Sequence, residues 1–299
     1  MAIENLCEKQ LYREVPRWHF VMMNDVKRNS AYELALRQLD LRGKVVLDIG
    51  SGSGLLAMMA ARHGAERVIS CEAVPPIAAM AQQIVRENGF DDTIEIIPAW
   101  SHDLDPAVHL PRPADVLVSE ILDCGLVGEG LLPTVRHARQ YLLSSDATML
   151  PAAAVLTGRL LESEEVHQLN AVSRAAGFDV SAFNRFATPD YFPCRLPTWP
   201  HRFLSEPIDL FDFNIRTDPL TPRQRTMKVK TTSGGTVHGV AFWWQMTLGP
   251  GVTLTNSPGS APPCWLQAVA LFERPPTVRP GEVLTLHVEQ DDQAIRFAC

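Results

Sequence analysis

The sequence of 299 residues lacks several features that mark common classes of protein. Basic charge is scarce: 27 lysines and arginines stand against 34 aspartates and glutamates, so the net charge of −7 gives a nucleic-acid partner no overall attraction. The six cysteines include no C-x-x-C pair, which removes support for a metal or redox framework. No apolar run approaches the ~20 residues that a membrane span needs. We therefore expect no nucleic-acid partner, no membrane and no metal.

The beginning of the sequence also lacks a basic run followed by an apolar core, so we expect no signal peptide. Unpaired thiols are typical of the reducing cytoplasm, which is the expected location. Hydrophobic residues make up 46% and charged residues 20%, a balance typical of a globular chain with a substantial core. An acidic surface favours a basic peptide or a cationic small molecule as partner.

In the first half of the sequence, short apolar runs alternate with segments rich in helix formers. Predicted strands cover residues 45–49, 67–71, 93–98 and 114–119, and predicted helices cover 15–40, 54–62, 76–88 and 131–143. Such alternation predicts βαβ units and a Rossmann-like, doubly wound parallel sheet.

The second half has a different composition, with more prolines, β-branched residues and aromatics. Predicted strands at 237–248, 265–272 and 283–289 are typical of an antiparallel sheet or barrel. A helical segment is predicted over 162–178. The predicted fold is therefore α/β, with a Rossmann-like domain over 1–150 and a mainly antiparallel β-barrel domain over 151–299.

A glycine-rich loop follows the first predicted strand and opens the next helix. Gly50, Gly52 and Gly54 are spaced GxGxG, which lets the backbone turn tightly and lie against a ligand where a Cβ would clash. Glu72 lies 22 residues after Gly50, just past the second strand, where a carboxylate can accept both hydroxyls of a ribose. The alternative for Glu72 is a solvated acid at a strand end. The pattern predicts an adenosine ligand, and the glycine spacing favours S-adenosylmethionine over a nicotinamide dinucleotide.

Two glutamates nine residues apart follow the fourth predicted strand. Glu120 and Glu129 flank a largely apolar stretch with two glycines, a composition that suits a hairpin and would bring the carboxylates together. Two carboxylates facing one pocket need a cation between them, and the planar fork of a guanidinium matches them. The alternative is a pair of surface acids on a loop.

This stretch resembles the double-glutamate loop of the protein arginine methyltransferase family, including its closing pattern Leu126-Val127-Gly128-Glu129-Gly130. The likeness is greatest to the branch with tandem-repeat, monomethylating members. Residues 18–29 resemble the N-terminal helix of that family. Residues 254–258 and 264–267 are similar in spacing to its barrel loop, which usually reads Thr-His-Trp.

The resemblance implies a role for each matching residue. Glu120 and Glu129 would be catalytic and would bind the substrate together with Cys264 and Trp265. Similar proteins form homodimers through an arm inserted in the barrel, here at 163–200. The cofactor-binding set of the prediction is His19, Met22, Arg28, Asp48, Gly50, Gly52, Gly54, Glu72, Ala73 and Ser101. Within it, Arg28 would pair with the cofactor carboxylate and Met22 would pack beside the reacting methyl.

Two features depart from the family pattern. The paired-tyrosine motif before the first helix is missing, with only Tyr12 nearby, and Cys264 replaces the loop histidine. A cysteine cannot supply the charged hydrogen bond of a histidine, which leaves substrate orientation and the proton acceptor open. The alternatives are a small packed hydrophobe for Cys264, a core aromatic for Trp265 and an ordinary half-buried histidine for His19.

The sequence thus predicts an S-adenosylmethionine-dependent methyltransferase acting on an arginine guanidinium, either in a protein or peptide or as the free amino acid. Family precedent favours a protein, whereas the altered Cys264 loop leaves room for a small acceptor. One alternative is a nicotinamide-dependent oxidoreductase, against which the GxGxG spacing and the lack of an obvious Tyr-xxx-Lys pair both count. Another is a non-catalytic scaffold that retains the cofactor fold.

Overall fold

A computed structural model describes residues 15–259 and 264–299 of the chain. Tyr12, named above for the missing tyrosine motif, lies outside these ranges. The helices and strands up to residue 150 are α1 (Trp18–Met23), α2 (Val26–Gln38), β1 (Val45–Ile49), α3 (Leu55–Arg62), β2 (Arg67–Cys71), α4 (Pro75–Glu87), β3 (Ile94–Ile97), α5 (Pro106–His109), β4 (Ala114–Ser119), α6 (Leu131–Tyr141) and β5 (Leu143–Leu150), with a 3-10 turn at Ser101–Asp103.

The strands of this half form a five-stranded parallel sheet in the order β3-β2-β1-β4-β5. Strand β1 is buried along its whole length, as expected of a short apolar run covered on both faces. The chain runs outward from β1 in one direction to β3 and then returns to β4 on the other side. The carboxyl ends of β1 and β4 therefore border the crevice where open α/β sheets bind ligands.

The second half is built from antiparallel strands. Its main sheet has the order β10-β6-β14-β16-β9, with β11 added to β6 and β15 to β14, and a second sheet has the order β12-β18-β19. The elements are β6 (Ala153–Glu162), α7 (Glu164–His167), β7 (Arg174–Ala175), β8 (Phe178–Asp179), β9 (Phe192–Cys194), β10 (Arg202–Phe203), β11 (Ile208–Asn214), β12 (Arg223–Lys230), β13 (Gly235–Thr236), β14 (Gly239–Gly249), β15 (Val252–Thr255), β16 (Gln267–Leu271), β17 (Thr277–Val278), β18 (Val283–Gln290) and β19 (Ile295–Ala298), with 3-10 turns at Ser181–Phe186 and Leu196–Thr198.

The predicted fold class, a parallel Rossmann-like layer followed by a mainly antiparallel β domain, is confirmed. Strand β5 ends in the first sheet at Leu150 and β6 begins in the second at Ala153, on either side of Pro151. The division into domains at that proline stays a prediction. The strand pairs in the described part of the chain form separate sheets rather than one continuous ring.

The helix predicted over 162–178 is wrong for most of its length. Only Glu164–His167 is helical, capped by the Ser163 hydroxyl, and a short hairpin of β7 and β8 turns at Gly177. This segment is largely exposed, so little packing supports a helix, and an isolated helix of this length is marginal in water. The segment at 163–200 is therefore mainly irregular.

Polar contacts fasten the antiparallel half to the parallel half. Arg136 on α6 donates from both terminal nitrogens to the Asp292 carboxylate, at 2.7 and 2.6 Å. Gln38 at the end of α2 donates to the Pro250 carbonyl at 3.3 Å. One apolar core runs through both halves, so they pack as a continuous body. Within the described ranges, no helix is long and apolar enough to cross a bilayer.

Candidate active site

The glycine loop after β1 has the left-handed backbone that its sequence predicts. Gly50 has φ of +88° and Gly52 of +52°, and a Cβ at Gly50 would lie 2.6 Å from the Cγ2 atom of Ile121. Glu72 holds this loop in place: its Oε2 accepts from the Gly52 amide at 3.0 Å and its Oε1 from the Val74 amide at 3.0 Å. The structure thus places Glu72 against the glycine loop.

Gly54 and Asp48 lie behind the loop rather than in the crevice. Gly54, with φ of +77°, precedes α3, and a Cβ there would meet Val85 of α4 at 3.1 Å. Asp48 is fully buried and accepts from the Ser70 hydroxyl at 2.7 Å, which lies 2.5 Å from the Ser51 hydroxyl. Both residues shape the loop from behind, and their predicted contact with a cofactor stays a prediction.

Burial raises the pKa of Asp48 from 3.8 to about 7, a rise that the hydrogen bond from Ser70 opposes. Between about pH 4 and 7 the folded state therefore keeps a proton on Asp48, whereas the unfolded chain has already released it. Stability contributed by this group is full below the unfolded pKa and falls as pH rises through the folded pKa.

We expect Asp48→Asn to remove this pH dependence. Between pH 5 and 8 the wild-type protein should lose on the order of 2 kcal/mol of unfolding free energy relative to the variant. Urea denaturation of both proteins at the two pH values measures the difference. Because all other titrating groups are shared, parallel pH curves would contradict the assignment.

A cavity of about 330 Å³ lies between the glycine loop, the end of β2 and helix α1. One wall is apolar, with Ile77 and Trp100, and Glu72 supplies a carboxylate at another. The cavity also includes the predicted residues His19, Met22, Arg28, Gly50, Gly52, Glu72, Ala73 and Ser101, together with Glu120 and Glu129. A glycine cradle, an apolar slot and a carboxylate fit an adenosine-bearing cofactor.

Glu120 follows β4 and forms an ion pair with Arg28 of α2, with 2.7 Å between Oε2 and Nη2. Both side chains are almost fully buried, at 5% and 4% exposed. Burial raises the pKa of Glu120, and the charge of Arg28 opposes the rise. Burial also lowers the pKa of Arg28, but the charge and hydrogen bond of Glu120 outweigh it and the pKa lies above its ordinary value. Arg28, predicted to hold the cofactor carboxylate, thus contacts Glu120 here.

Glu129 borders the same cavity from the other end of the loop. Desolvation in this concave site, with the charges of Glu120 and Asp123, raises the pKa of Glu129 to about 7. The side chain nevertheless keeps an exposed face, so water screens the two charges and titration between the ordinary 4.5 and about 7 is expected. A carboxylate in this range can bind a cation and accept a proton near neutral pH.

The stretch between the two glutamates is a compact loop and not the predicted hairpin. The Asp123 Oδ1 accepts from the amides of Gly125 at 3.1 Å and Gly128 at 3.0 Å, and Leu126 has φ of +80°. These internal bonds take the place of a two-stranded ladder. The loop still directs both glutamates to one cavity, which is the outcome that the hairpin was expected to produce.

Cys264 and Trp265 border a smaller cavity of about 230 Å³ next to the glutamates. The Cys264 thiol donates to the Asp25 Oδ2 at 2.9 Å, and the Asp25 Oδ1 caps α2 by accepting from the Arg28 amide at 3.0 Å. Burial raises the pKa of Cys264 well above the usual thiol value, which keeps it neutral. Trp265 is 7% exposed and packs edge-on against Trp244, so it is a core aromatic that also borders the cavity.

Sequence reasoning missed Asp25, Asp123 and Asn256. The fully buried Asn256 donates from its amide to the carbonyls of Cys124 at 2.9 Å and Leu266 at 2.7 Å, so it joins the two cavity-bordering loops. Its only sequence signal is its place in the 254–258 segment. In the described ranges, no group of three or more His, Cys, Asp or Glu side chains could hold a metal ion.

A parallel Rossmann-like sheet with a cavity that fits an adenosine-bearing cofactor, joined to an antiparallel domain, is the arrangement expected of a Rossmann-fold methyltransferase. The family described as "Arginine methyltransferase oligomerization subdomain" matches residues 148–298, and the family described as "Ribosomal protein L11 methyltransferase (PrmA)" matches residues 33–136. The first match alone covers half of the chain.

Individual known proteins that resemble this chain are also arginine methyltransferases. An "Arginine N(omega)-methyltransferase" of Streptomyces achromogenes subsp. streptozoticus is 49% identical over 96% of this chain and 79% of its own length. "Protein arginine N-methyltransferase 7" of Drosophila grimshawi is 33% identical over 76% of this chain, which spans only 35% of that relative. A solved structure, the Trypanosoma brucei PRMT1 enzyme-prozyme heterotetrameric complex with AdoHcy, has a TM-score of 0.80 at 27% identity, covering 93% of this chain and 89% of that one.

The chain therefore belongs to the arginine methyltransferase family and is an S-adenosylmethionine-dependent enzyme. The predictions of family, enzyme class and cofactor are confirmed. The roles of individual site residues stay predictions.

Proposed function

We propose that this enzyme methylates an ω-nitrogen of free arginine, with Glu120 and Glu129 holding the guanidinium. The observation that carries this proposal is that both glutamates border two neighbouring cavities at once, together with Trp18 and Met22. One cavity contains the glycine cradle and Glu72, and the other is small and contains Cys264 and Trp265. A donor on one side and a flat cation on the other would meet at the glutamates.

Free arginine is favoured over a protein substrate by the name that a bacterial relative carries. The bacterial relative that is 49% identical is named for arginine itself, without the word "protein" that stands in the Drosophila name. The acceptor-side cavity of about 230 Å³ has room for one arginine. Methylation of arginine peptides is the competing outcome of the test below.

The cofactor, when bound, supplies an electrophilic methyl group. Glu72 would hold its ribose, the glycine loop would lie against it, and His19, Met22, Ala73 and Ser101 would complete its site. Arg28 would hold the cofactor carboxylate while keeping its pair with Glu120 through a second nitrogen. Gly54 and Asp48 would support the loop from behind.

The two glutamates would do the chemistry on the acceptor. A guanidinium is a poor nucleophile because its lone pairs are delocalised. Two carboxylates in its plane draw the positive charge toward the nitrogens that they bind and leave electron density on the third. Glu129, with its raised pKa and open face, would then accept the proton that the methylated nitrogen releases. Glu120, already paired with Arg28, would serve mainly to orient the acceptor.

The raised pKa of Glu129 predicts an acidic limb in the pH profile. Only the ionised carboxylate binds the guanidinium, so kcat/KM for arginine should fall as pH decreases through a value between 4.5 and about 7. The limb in kcat should lie at lower pH, because a bound guanidinium favours the ionised form. Initial rates from pH 4 to 9 measure both. A kcat/KM that is flat over this range would exclude Glu129 as the titrating group.

The proposed function is tested by incubating the enzyme with S-adenosylmethionine labelled in its methyl group and three acceptors: free arginine, arginine-containing peptides and a cell lysate. Mass spectrometry should find label on an ω-nitrogen of free arginine. Label on peptides alone would contradict the small-molecule proposal and keep the arginine chemistry. Absence of label from free arginine, peptides and lysate alike would contradict the proposed function.

We also propose a cytoplasmic homodimer formed through the segment at 163–200. Phe178, Phe183 and Phe186 on this segment are 73%, 66% and 80% exposed, an apolar surface that a second copy of the chain would cover. Size-exclusion chromatography with light scattering measures the assembly. A monomer at micromolar concentration would contradict the proposal.

A further inference from the structure

The loop that carries the two glutamates is fixed by residues that no sequence motif marks. Asp123 lies inside the loop, and its Oδ1 accepts both the Gly125 and the Gly128 amides. Its carboxylate also borders the smaller cavity. Asp123 therefore closes the turn between Glu120 and Glu129 from within.

Tyr191 packs against the same loop at Gly125 and Gly128. Its ring occupies the space that a Cβ at Gly125 would need, and its hydroxyl lies 3.0 Å from where a Cβ at Gly128 would be, beside the Asp123 carboxylate. Gly125 is not among the residues with positive φ, so its backbone would accept a side chain. The Tyr191 ring is thus the reason that a glycine stands at 125.

Tyr191 packs against the antiparallel sheet. Its ring meets Phe242 of β14 edge-on at 5.2 Å, and it immediately precedes β9, at the end of the exposed 163–200 segment. On the other face of the loop, the Trp244 indole donates to the Asp123 carbonyl at 3.0 Å. The loop is therefore held by the internal hydrogen bonds of Asp123 and by contacts with Tyr191 and Trp244 of the antiparallel half.

From these contacts we propose that Asp123 and Tyr191 are positioning residues that hold Glu129 opposite Glu120 at the acceptor site. Neither residue needs to touch the reacting atoms. Asp123 fixes the turn, and Tyr191 fixes where the turn lies relative to the β domain. This inference rests on the proposed function for its kinetic consequences, but the placement of Glu129 can be measured without any acceptor.

The electrostatic consequence concerns the charged groups around Glu129. Glu120 and Asp123 both raise its pKa, and Arg28 offsets Glu120 by pairing with it. Asp25 raises the pKa of Glu120, and the Cys264 thiol donates to Asp25 while Cys264 borders the smaller cavity together with Glu129. An asparagine at 123 can keep its Oδ1 on the two loop amides while losing the charge, so it separates the electrostatic role from the geometric one.

The first test follows the Glu129 carboxyl by carbon-13 NMR titration, assigned with Glu129→Gln. Asp123→Asn should shift the midpoint of Glu129 to lower pH, because one neighbouring negative charge is gone. Asp146→Asn, an exposed site on β5 with the same change of charge, is the matched control and should leave the midpoint in place. An unchanged midpoint in Asp123→Asn would overturn the placement of Asp123 beside Glu129.

The second test is a double-mutant cycle on the contact between Gly125 and Tyr191. Gly125→Ala should lower kcat roughly 10²-fold, since displacing a positioned group by about 1 Å costs that much. Tyr191→Ala alone should lower kcat roughly tenfold, because the loop loses its support, and the double variant should be no worse than Tyr191→Ala alone, because the added methyl then has room. Tyr191→Phe, which keeps the ring, should stay within about tenfold of the wild type, and Tyr141→Phe is an exposed control.

Binding of S-adenosylhomocysteine, measured by calorimetry, should be unchanged in all these variants, which separates loop displacement from misfolding. A double variant no better than Gly125→Ala alone would remove Tyr191 from the proposal. If the wild type methylates no arginine, the proposed function fails, whereas the NMR titration still decides the position of Asp123.

Discussion

Glu129→Gln is expected to lower kcat for arginine methylation by roughly 10²–10⁴-fold, the usual contribution of a positioned acid or base. The amide has the same shape but carries no charge and accepts no proton, so it neither polarises the guanidinium nor takes up the released proton. The loop itself should survive, because Asp123 and not Glu129 makes its internal hydrogen bonds. The measurement is single-turnover transfer of labelled methyl to arginine at saturating concentrations.

The matched control is Glu165→Gln, an exposed acid in the short helix α7, which should keep wild-type turnover. Affinity for S-adenosylhomocysteine should change by less than severalfold in Glu129→Gln, since the cradle around Gly52 and Glu72 is untouched. Turnover within about threefold of wild type would show that Glu129 has no chemical role.

The second large effect is expected at the buried ion pair of Glu120 and Arg28. Glu120→Leu leaves the Arg28 charge in a site where its side chain is 4% exposed, and removal of one partner from a buried pair destabilises by about 3–5 kcal/mol. Urea denaturation should show this loss in unfolding free energy. Methyl transfer should disappear as well, because one of the two acceptor carboxylates is gone.

The double variant Arg28→Met, Glu120→Leu separates the two consequences. It removes both charges, so most of the lost stability should return, as it does when buried pairs are replaced by apolar side chains. Activity should not return. If Glu120→Leu alone were as stable as the wild type, Arg28 would have found another partner and the pair would not be a structural necessity.

The sequence alone was sufficient to predict those parts of the candidate site that depend on residues close together in the chain. A buried strand followed by GxGxG predicts the left-handed loop at Gly50 and Gly52, and the end of the next strand predicts the place of Glu72. Asp48 shows the limit of such prediction. Its position beside the loop in sequence indicated contact with the cofactor, but its side chain points behind the loop toward Ser70.

Contacts between distant parts of the chain could not be predicted. Cys264 and Asp25 are 239 residues apart, and their hydrogen bond depends on how the β domain meets α2. The Asn256 amide and the Tyr191 ring reach the loop only through the same packing. The helix over 162–178 was mispredicted for the opposite reason: helix propensity is a weak guide where few tertiary contacts select among conformations.

Trp244 and Asn256 of the antiparallel half donate hydrogen bonds to the loop that follows β4. Exchange of the antiparallel half between relatives should therefore affect acceptor binding more than cofactor binding. The glycine loop and Glu72, which are proposed to bind the cofactor, both belong to the parallel half. In a chimera that carries the β half of a relative, different side chains would contact the loop between Glu120 and Glu129. We expect acceptor choice to change even though both glutamates stay in place. Engineering of substrate preference is therefore best begun in β14 and the 254–258 segment, which contact the loop but contain neither glutamate.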